Sequence, residues 1–271
     1  MKRILILAAA LLLAVSCGGN KAPKILVLYY SQTGSTKVVA EALQAQLGAD
    51  IEAIVPVESY GEDYGATIAR GRKELDEKSF PALQPLTADI ASYDVIFLGY
   101  PIWFGTYANP IETLLNTVDF NGKKVVPFCT FGSGGLDASV KAIKEKLPDA
   151  EVLPGYGVRA ARVDAVPAEV DRFLRQGGFI KGEIEPIADF SDPRPVTEEE
   201  AALFDAAVGT YPMIHAKAEE VASRAVPGGM EYLFTARDLP REGFPEGMAR
   251  TMKVYVLAED GQAPVFTQVA R

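Results

Sequence analysis

The sequence predicts an α/β protein, a five-stranded parallel sheet covered by crossover helices, with a second, smaller α+β domain after it. Three observations lead to this. Short unbroken apolar runs, Ile25-Leu-Val-Leu-Tyr29 and Val95-Ile-Phe-Leu-Gly99 among them, read as strands buried on both faces. Helical patterns alternate with these runs, as crossovers between parallel strands require. Near residue 180 the alternation stops, and one helical stretch followed by strand signals takes its place.

The chain opens with a targeting pattern. Lys2 and Arg3 precede an apolar run from Ile4 to Val15. Twelve residues are too few to cross about 30 Å of hydrocarbon as a helix, but they suit the core of a signal peptide. The run ends in Leu13-Ala14-Val15-Ser16-Cys17, similar to a bacterial lipobox, with Ala14 where leucine is commoner. This resemblance implies a signal peptide over 1–16, lipidation of Cys17 and a membrane-anchored place in the cell envelope, on the periplasmic side. Residues 17–23 then form a tether. Several acyl chains on one cysteine meet the rule that stable anchoring needs more than one.

The first domain spans 24–178. Ile25 to Tyr29 is its first strand, and Thr36 to Leu47 an amphipathic helix with Val39, Ala42, Leu43 and Leu47 on one side. Ile51 to Val55 is a second strand and Glu62 to Lys78 a polar helix. Val95 to Gly99 is the third strand, Pro110 to Val118 a helix, and Val125 to Thr130 the fourth strand. A helix from Leu136 to Leu147, a fifth strand from Val152 to Val158 and a helix from Pro167 to Gln176 complete it; Pro167 suits a first helical turn. Residues 179–196, with Pro186, Pro193 and Pro195 among acidic residues, read as a linker. In the second domain, 197–271, Thr197 and Glu200 make a capping box for a short helix. Strands follow near Ala216–Val226, Met230–Ala236, Met252–Leu257 and Val265–Val269, with turns at Gly228-Gly229 and Asp260-Gly261.

Composition removes several function classes. The net charge of −9 leaves no basic patch for nucleic acid. Two cysteines, Cys17 and Cys129, and one histidine, His215, give neither a disulfide framework nor a zinc-ligand spacing. Cys129, ending an apolar strand, reads as core, and His215 as a surface residue.

Ligands of open parallel sheets bind beyond the carboxyl ends of the strands, and three unusual loops stand there. Ser31-Gln32-Thr33-Gly34-Ser35-Thr36 offers four hydroxyls and the N–H groups of a helix start, a neutral phosphate cradle. It lacks the order of a Walker loop and the glycines of a dinucleotide fingerprint. Tyr100-Pro101-Ile102-Trp103-Phe104-Gly105 gathers bulky residues, including the sole tryptophan, that suit a flat aromatic ligand. Thr130-Phe131-Gly132-Ser133-Gly134-Gly135 permits close backbone approach.

The stretch Val27 to Leu43 resembles the flavodoxin signature, and the second loop is similar to the Tyr-Pro-Ile-Trp-Trp-Gly loop of one flavodoxin subgroup, with Phe104 for the second tryptophan. The third loop departs from that subgroup by carrying its serine one position early. The resemblance implies a sheet of order 2-1-3-4-5 and non-covalent FMN held by these three loops. It also implies electron transfer with a protein, quinone or NAD(P)H partner. An electron carrier and an NAD(P)H-dependent quinone or flavin reductase both fit, and a non-redox ligand-binding or interaction lipoprotein is the contrasting reading. A receiver domain shares the topology but needs acidic residues where this chain has Tyr29-Tyr30-Ser31 and Gly99-Tyr100-Pro101. In the second domain, Arg224-Ala-Val-Pro-Gly228 faintly resembles a cystatin hairpin whose glutamine is missing, which implies shape and not protease inhibition.

Overall fold

A computed structural model describes residues 22–209, 211–212, 214–240 and 250–270. The signal-peptide and Cys17 readings lie outside the described residues. The first unit runs β1 (Ile25–Tyr29), α1 (Ser35–Leu47), β2 (Asp50–Ala53), α2 (Tyr64–Glu77), β3 (Val95–Trp103), β4 (Thr106–Tyr107), α3 (Asn109–Thr117), β5 (Lys124–Phe131), α4 (Leu136–Lys146), β6 (Glu151–Val152), β7 (Tyr156–Arg159) and α5 (Val166–Gln176). The sheet order is β2-β1-β3-β5-β6, all parallel, with β7 continuing beside β5. This is the expected order 2-1-3-4-5. One detail differs: the fifth strand is split into β6 and β7 at Pro154-Gly155. A Cβ on Gly155 would stand 2.8 Å from the Pro127 carbonyl oxygen, so the break lets the backbone pass close to β5.

Both faces of the sheet are covered, because neighbouring strand residues point to opposite sides. Val27, Phe97, Val126 and Phe128 pack with Val39 and Leu43 of α1 and Val170 and Leu174 of α5. Leu26, Leu28, Ile96 and Leu98 pack with Ile111 and Leu114 of α3 and Ile143 of α4. Local chemistry sets the helix ends. Gly48, at φ 62°, closes α1 by donating to the Gln44 carbonyl. The Asp63 carboxylate caps α2 by accepting from the Ala66 N–H at 2.6 Å. Prolines open α3 and α5.

The second unit runs β8 (Arg194–Pro195), α6 (Glu198–Val208), β9 (Ala216–Val226), β10 (Gly229–Asp238), β11 (Thr251–Glu259) and β12 (Val265–Ala270), an antiparallel sheet of order β12-β11-β10-β9-β8. Phe204 of α6 packs on Phe234 at 5.2 Å. The capping box at Thr197 and Glu200 is formed. The expected linker is shorter in practice. Phe179 lies 5.0 Å from Phe97 in the first core, while Arg194 and Pro195 pair with Val221 and Glu220 as an edge strand of the second sheet. The β9–β10 turn is Pro227-Gly228, one residue earlier than read, with Gly228 at φ 81°.

Candidate functional site

Register brings the three loops to one end of the sheet. Tyr29 pairs with Gly99, and Gly99 with Phe128, so the residues that follow, Ser31, Pro101 and Thr130, come level at the carboxyl end of the sheet. Gly99 is fixed by this packing, since a Cβ there would lie 2.1 Å from the Phe128 ring.

The first loop leads into α1 through Gly34, at φ 91°, an N-cap residue with no side-chain bond of its own. The first helical bond runs from the Val38 N–H to the Gly34 carbonyl, and Ser31 Oγ accepts from the Lys37 N–H at 3.2 Å. The N–H groups of Gly34, Ser35 and Thr36 precede the first helical carbonyl partner. Thr33 and Gly34 are exposed and Ser35 half-buried, and no acidic residue stands in the first turn. Donors at the positive end of a helix dipole form an anion site. Thr36 departs from the expectation that its hydroxyl joins the cradle. Its side chain is buried and its Oγ1 lies 2.8 Å from Thr130 Oγ1, tying the first loop to the third. Gln32 is also engaged within the protein: Oε1 accepts from the Tyr30 hydroxyl and Nε2 donates to the Gly61 carbonyl at 2.7 Å.

The second loop is a hairpin. β3 runs on to Trp103 and turns back as β4, with Trp103 opposite Thr106. The turn residues Phe104 and Gly105 have φ 50° and 88°, the two-residue turn that matches strand twist. A left-handed residue other than glycine costs about 1–2 kcal/mol. The Arg72 guanidinium, 4.3 Å from the Phe104 ring, and the bare Cα of Gly71 beneath it hold Phe104 there. Tyr100 is wholly buried, with its hydroxyl donating to Ser139 Oγ at 3.0 Å, so its side chain serves the core. Pro101 and Ile102 are half-buried. Trp103, also half-buried, stands edge-on to Tyr60 at 4.9 Å and Tyr30 at 5.8 Å. Behind this cluster, buried Glu74 accepts from the Tyr60 hydroxyl at 2.6 Å, Arg70 Nε at 2.8 Å and Asn109 Nδ2 at 2.8 Å. Burial, and the bond to Glu74, push the Tyr60 phenol well up and keep it protonated.

Thr130 and Phe131, the first residues of the third loop, are buried at the end of β5. The Gly132 carbonyl accepts from Arg159 Nε at 2.8 Å, and the Ser133 carbonyl from the Val269 N–H at 2.6 Å. A Cβ on Gly132 would stand 2.8 Å from Tyr211 Oη, and one on Gly134 2.2 Å from the Val269 carbonyl oxygen. The close approach these glycines allow is made by the second unit. A cleft of about 310 Å³ remains between Gly105, residues 133–135, the start of α4 and residues 268–270.

A family model for flavodoxin matches residues 24–168, more than half of the chain. The chain belongs to the flavodoxin family. An NAD(P)H dehydrogenase (quinone) of Caulobacter vibrioides is 34% identical over 93 residues, which cover 34% of this chain and 45% of that relative, so the match spans less than half of its length. A solved Bacteroides uniformis protein assigned as a flavoprotein is 30% identical over 56% of this chain and 99% of its own, with a TM-score of 0.50. A Lactobacillus acidophilus flavoprotein, solved in complex with FMN, is 28% identical over 55% and 97%, with a TM-score of 0.47.

The flavodoxin unit carries site residues that sequence reasoning passed over. A cleft of about 580 Å³ opens beside the first loop, lined by Tyr30, Ser31, Gln32, Gly34 and Lys37 and, across from them, by residues 53–56 and 59–62. Lys37 brings a positive charge to the anion end. Tyr60 and Gly61 come from the loop after β2, where an aromatic beside a glycine was the available signal. Cys129 lies fully buried, and burial pushes its thiol far up, which leaves no thiolate for chemistry. His215 is exposed.

Proposed function

We propose that the flavodoxin unit binds FMN non-covalently and takes up and passes on electrons at the bacterial cell envelope. The carrying observation is the start of α1, where the N-cap Gly34 makes no side-chain bond, Ser31 Oγ engages only the Lys37 N–H and no acidic residue stands in the first turn, beside exposed Thr33 and Lys37. That donor set fits a phosphomonoester. Thr33, Gly34, Ser35 and Lys37 would hold the phosphate, while Tyr30, Trp103, Phe104 and the backbone of residues 132–135 would serve the ring. Bound FMN supplies reversible one- and two-electron chemistry. The protein's own part is to hold the ring against aromatic and backbone walls and to limit water. Tyr30 and Tyr60 keep their protons, since burial raises both phenols.

The similarity to an NAD(P)H dehydrogenase (quinone) supports a second reading, in which NAD(P)H reduces the protein and a quinone reoxidises it. Steady-state assays of the FMN-loaded chain separate the two. Quinone-dependent NAD(P)H oxidation marks a reductase, and its absence together with rapid reduction by a small donor marks a carrier.

The lipobox-like Leu13 to Cys17 supports an anchor. Wild-type protein is expected in the membrane fraction and Cys17→Ser in the soluble fraction; wild-type protein that is soluble and unmodified by mass spectrometry sinks this reading. For the second unit, the run of short strand, single helix and four-strand meander supports a cystatin-like shape, with no inhibitory role attached.

A further inference from the structure

We propose that the second unit completes the flavin pocket: residues 268–270 form a wall of the ring-end cleft and slow the release of bound FMN. This rests on the FMN reading above. Four observations converge on it. The cleft between Gly105, residues 133–135 and the start of α4 is lined on another side by Gln268, Val269 and Ala270. β12 is an edge strand, and the outward N–H of Val269, which would otherwise be an unpaired edge donor, donates to the Ser133 carbonyl. Arg159, at the end of β7, holds the two units together. Its Nε donates to the Gly132 carbonyl, its Nη1 donates to the Phe266 carbonyl at 3.1 Å, and its guanidinium lies 3.4 Å from the Phe266 ring. Gly132 and Gly134 are bare where Tyr211 and Val269 press on the loop. Val269 packs into the second core, so strand alternation turns its neighbour Gln268, a side chain with both donor and acceptor, to the other face.

A flavin seated in this cleft lies against β12. The wall borders the loops assigned to the ring, so its loss acts on FMN and riboflavin alike, whereas loss of a cradle hydroxyl acts on FMN alone.

The test uses the mature chain loaded with FMN, in three variants. Val269→Pro removes the donor to Ser133 at an edge position, where no ladder bond is lost. Arg159→Met removes the hydrogen bond to Phe266 that crosses between the units, together with the bond that steadies Gly132, and Gln268→Ala trims the wall without touching the second core. Each is checked for folding by circular dichroism, and ligand release is followed by stopped-flow fluorescence. Val269→Pro and Arg159→Met are expected to release FMN and riboflavin about tenfold faster or more, and Gln268→Ala a few-fold faster. Folded variants that release FMN at the wild-type rate overturn the proposal while leaving FMN binding intact. If Val269→Pro does not fold, Arg159→Met and Gln268→Ala decide. Wild-type protein that binds no FMN overturns the underlying reading, and this one with it.

Discussion

Ser35 and Thr36 are sequence neighbours with different tasks. Ser35 stands half-buried at the opening of α1, while the Thr36 hydroxyl is turned inward to Thr130. Ser35→Ala is therefore expected to weaken FMN roughly tenfold, from a charge-assisted bond of about 1.5–3 kcal/mol, and to leave riboflavin nearly unchanged. Thr36→Val should lower thermal stability and weaken both ligands equally; calorimetric titration with each ligand checks the pair. Trp103 packs against the core edge-on to Tyr30 and Tyr60, and in the proposed reading it also serves the ring. Trp103→Ala should therefore destabilise the ligand-free protein, by less than the about 3–5 kcal/mol of a fully buried ring, and also weaken FMN. Trp103→Phe should recover most of both, as read from thermal melts and from titration. The place of the first loop at the start of α1 was legible because hydroxyl residues and glycine favour helix starts. The inward turn of Thr36 was not, since it depends on a partner 94 positions away. Nor was the positive φ of Phe104, because local preference puts asparagine or glycine in such a turn; the support comes from Arg72 and Gly71 on another helix.

At the scale of elements, strands buried on both faces announced themselves as apolar runs; β1 and β5 follow the reading closely, while β3 runs past Gly99 to Trp103. Elements without periodicity did not. β8 has two residues, one of them a proline, and its place is set by pairing with β9 and by the Arg194–Glu200 ion pair at 2.6 Å. That pair makes a pH prediction. Arg194, with the Thr197 donors, holds the Glu200 carboxyl down at about 2, against an ordinary value of 4.5. A lowered folded-state pKa stabilises above the unfolded value and is lost as pH falls through the folded one. The second unit should thus be stable at neutral pH and weaken from about pH 4.5 towards 2. Glu200→Gln keeps a capping-box acceptor but loses the ion pair with Arg194; it should flatten that part of the profile and cost about 0.2–1 kcal/mol at neutral pH. Acid melts followed by circular dichroism read both effects.

In the whole molecule, the two units meet at the third loop, and this changes what its glycines mean. As sequence they signalled close approach, which was correct, but the partner was taken to be a ligand; Tyr211 and Val269 now account for Gly132 and Gly134. A contact between residues 133 and 269 leaves no local pattern to read. The cleft that remains still joins the second and third loops, and the larger one joins the first loop to Tyr60. The central claim is that these loops hold FMN by its phosphate. Its most direct test is to titrate the ligand-free protein with FMN and with riboflavin while following visible absorbance and Trp103 emission. The account predicts one FMN per chain, a perturbed flavin spectrum, quenched emission and riboflavin bound at least about tenfold more weakly. Equal affinity for the two ligands, or no spectral change with FMN, would contradict it.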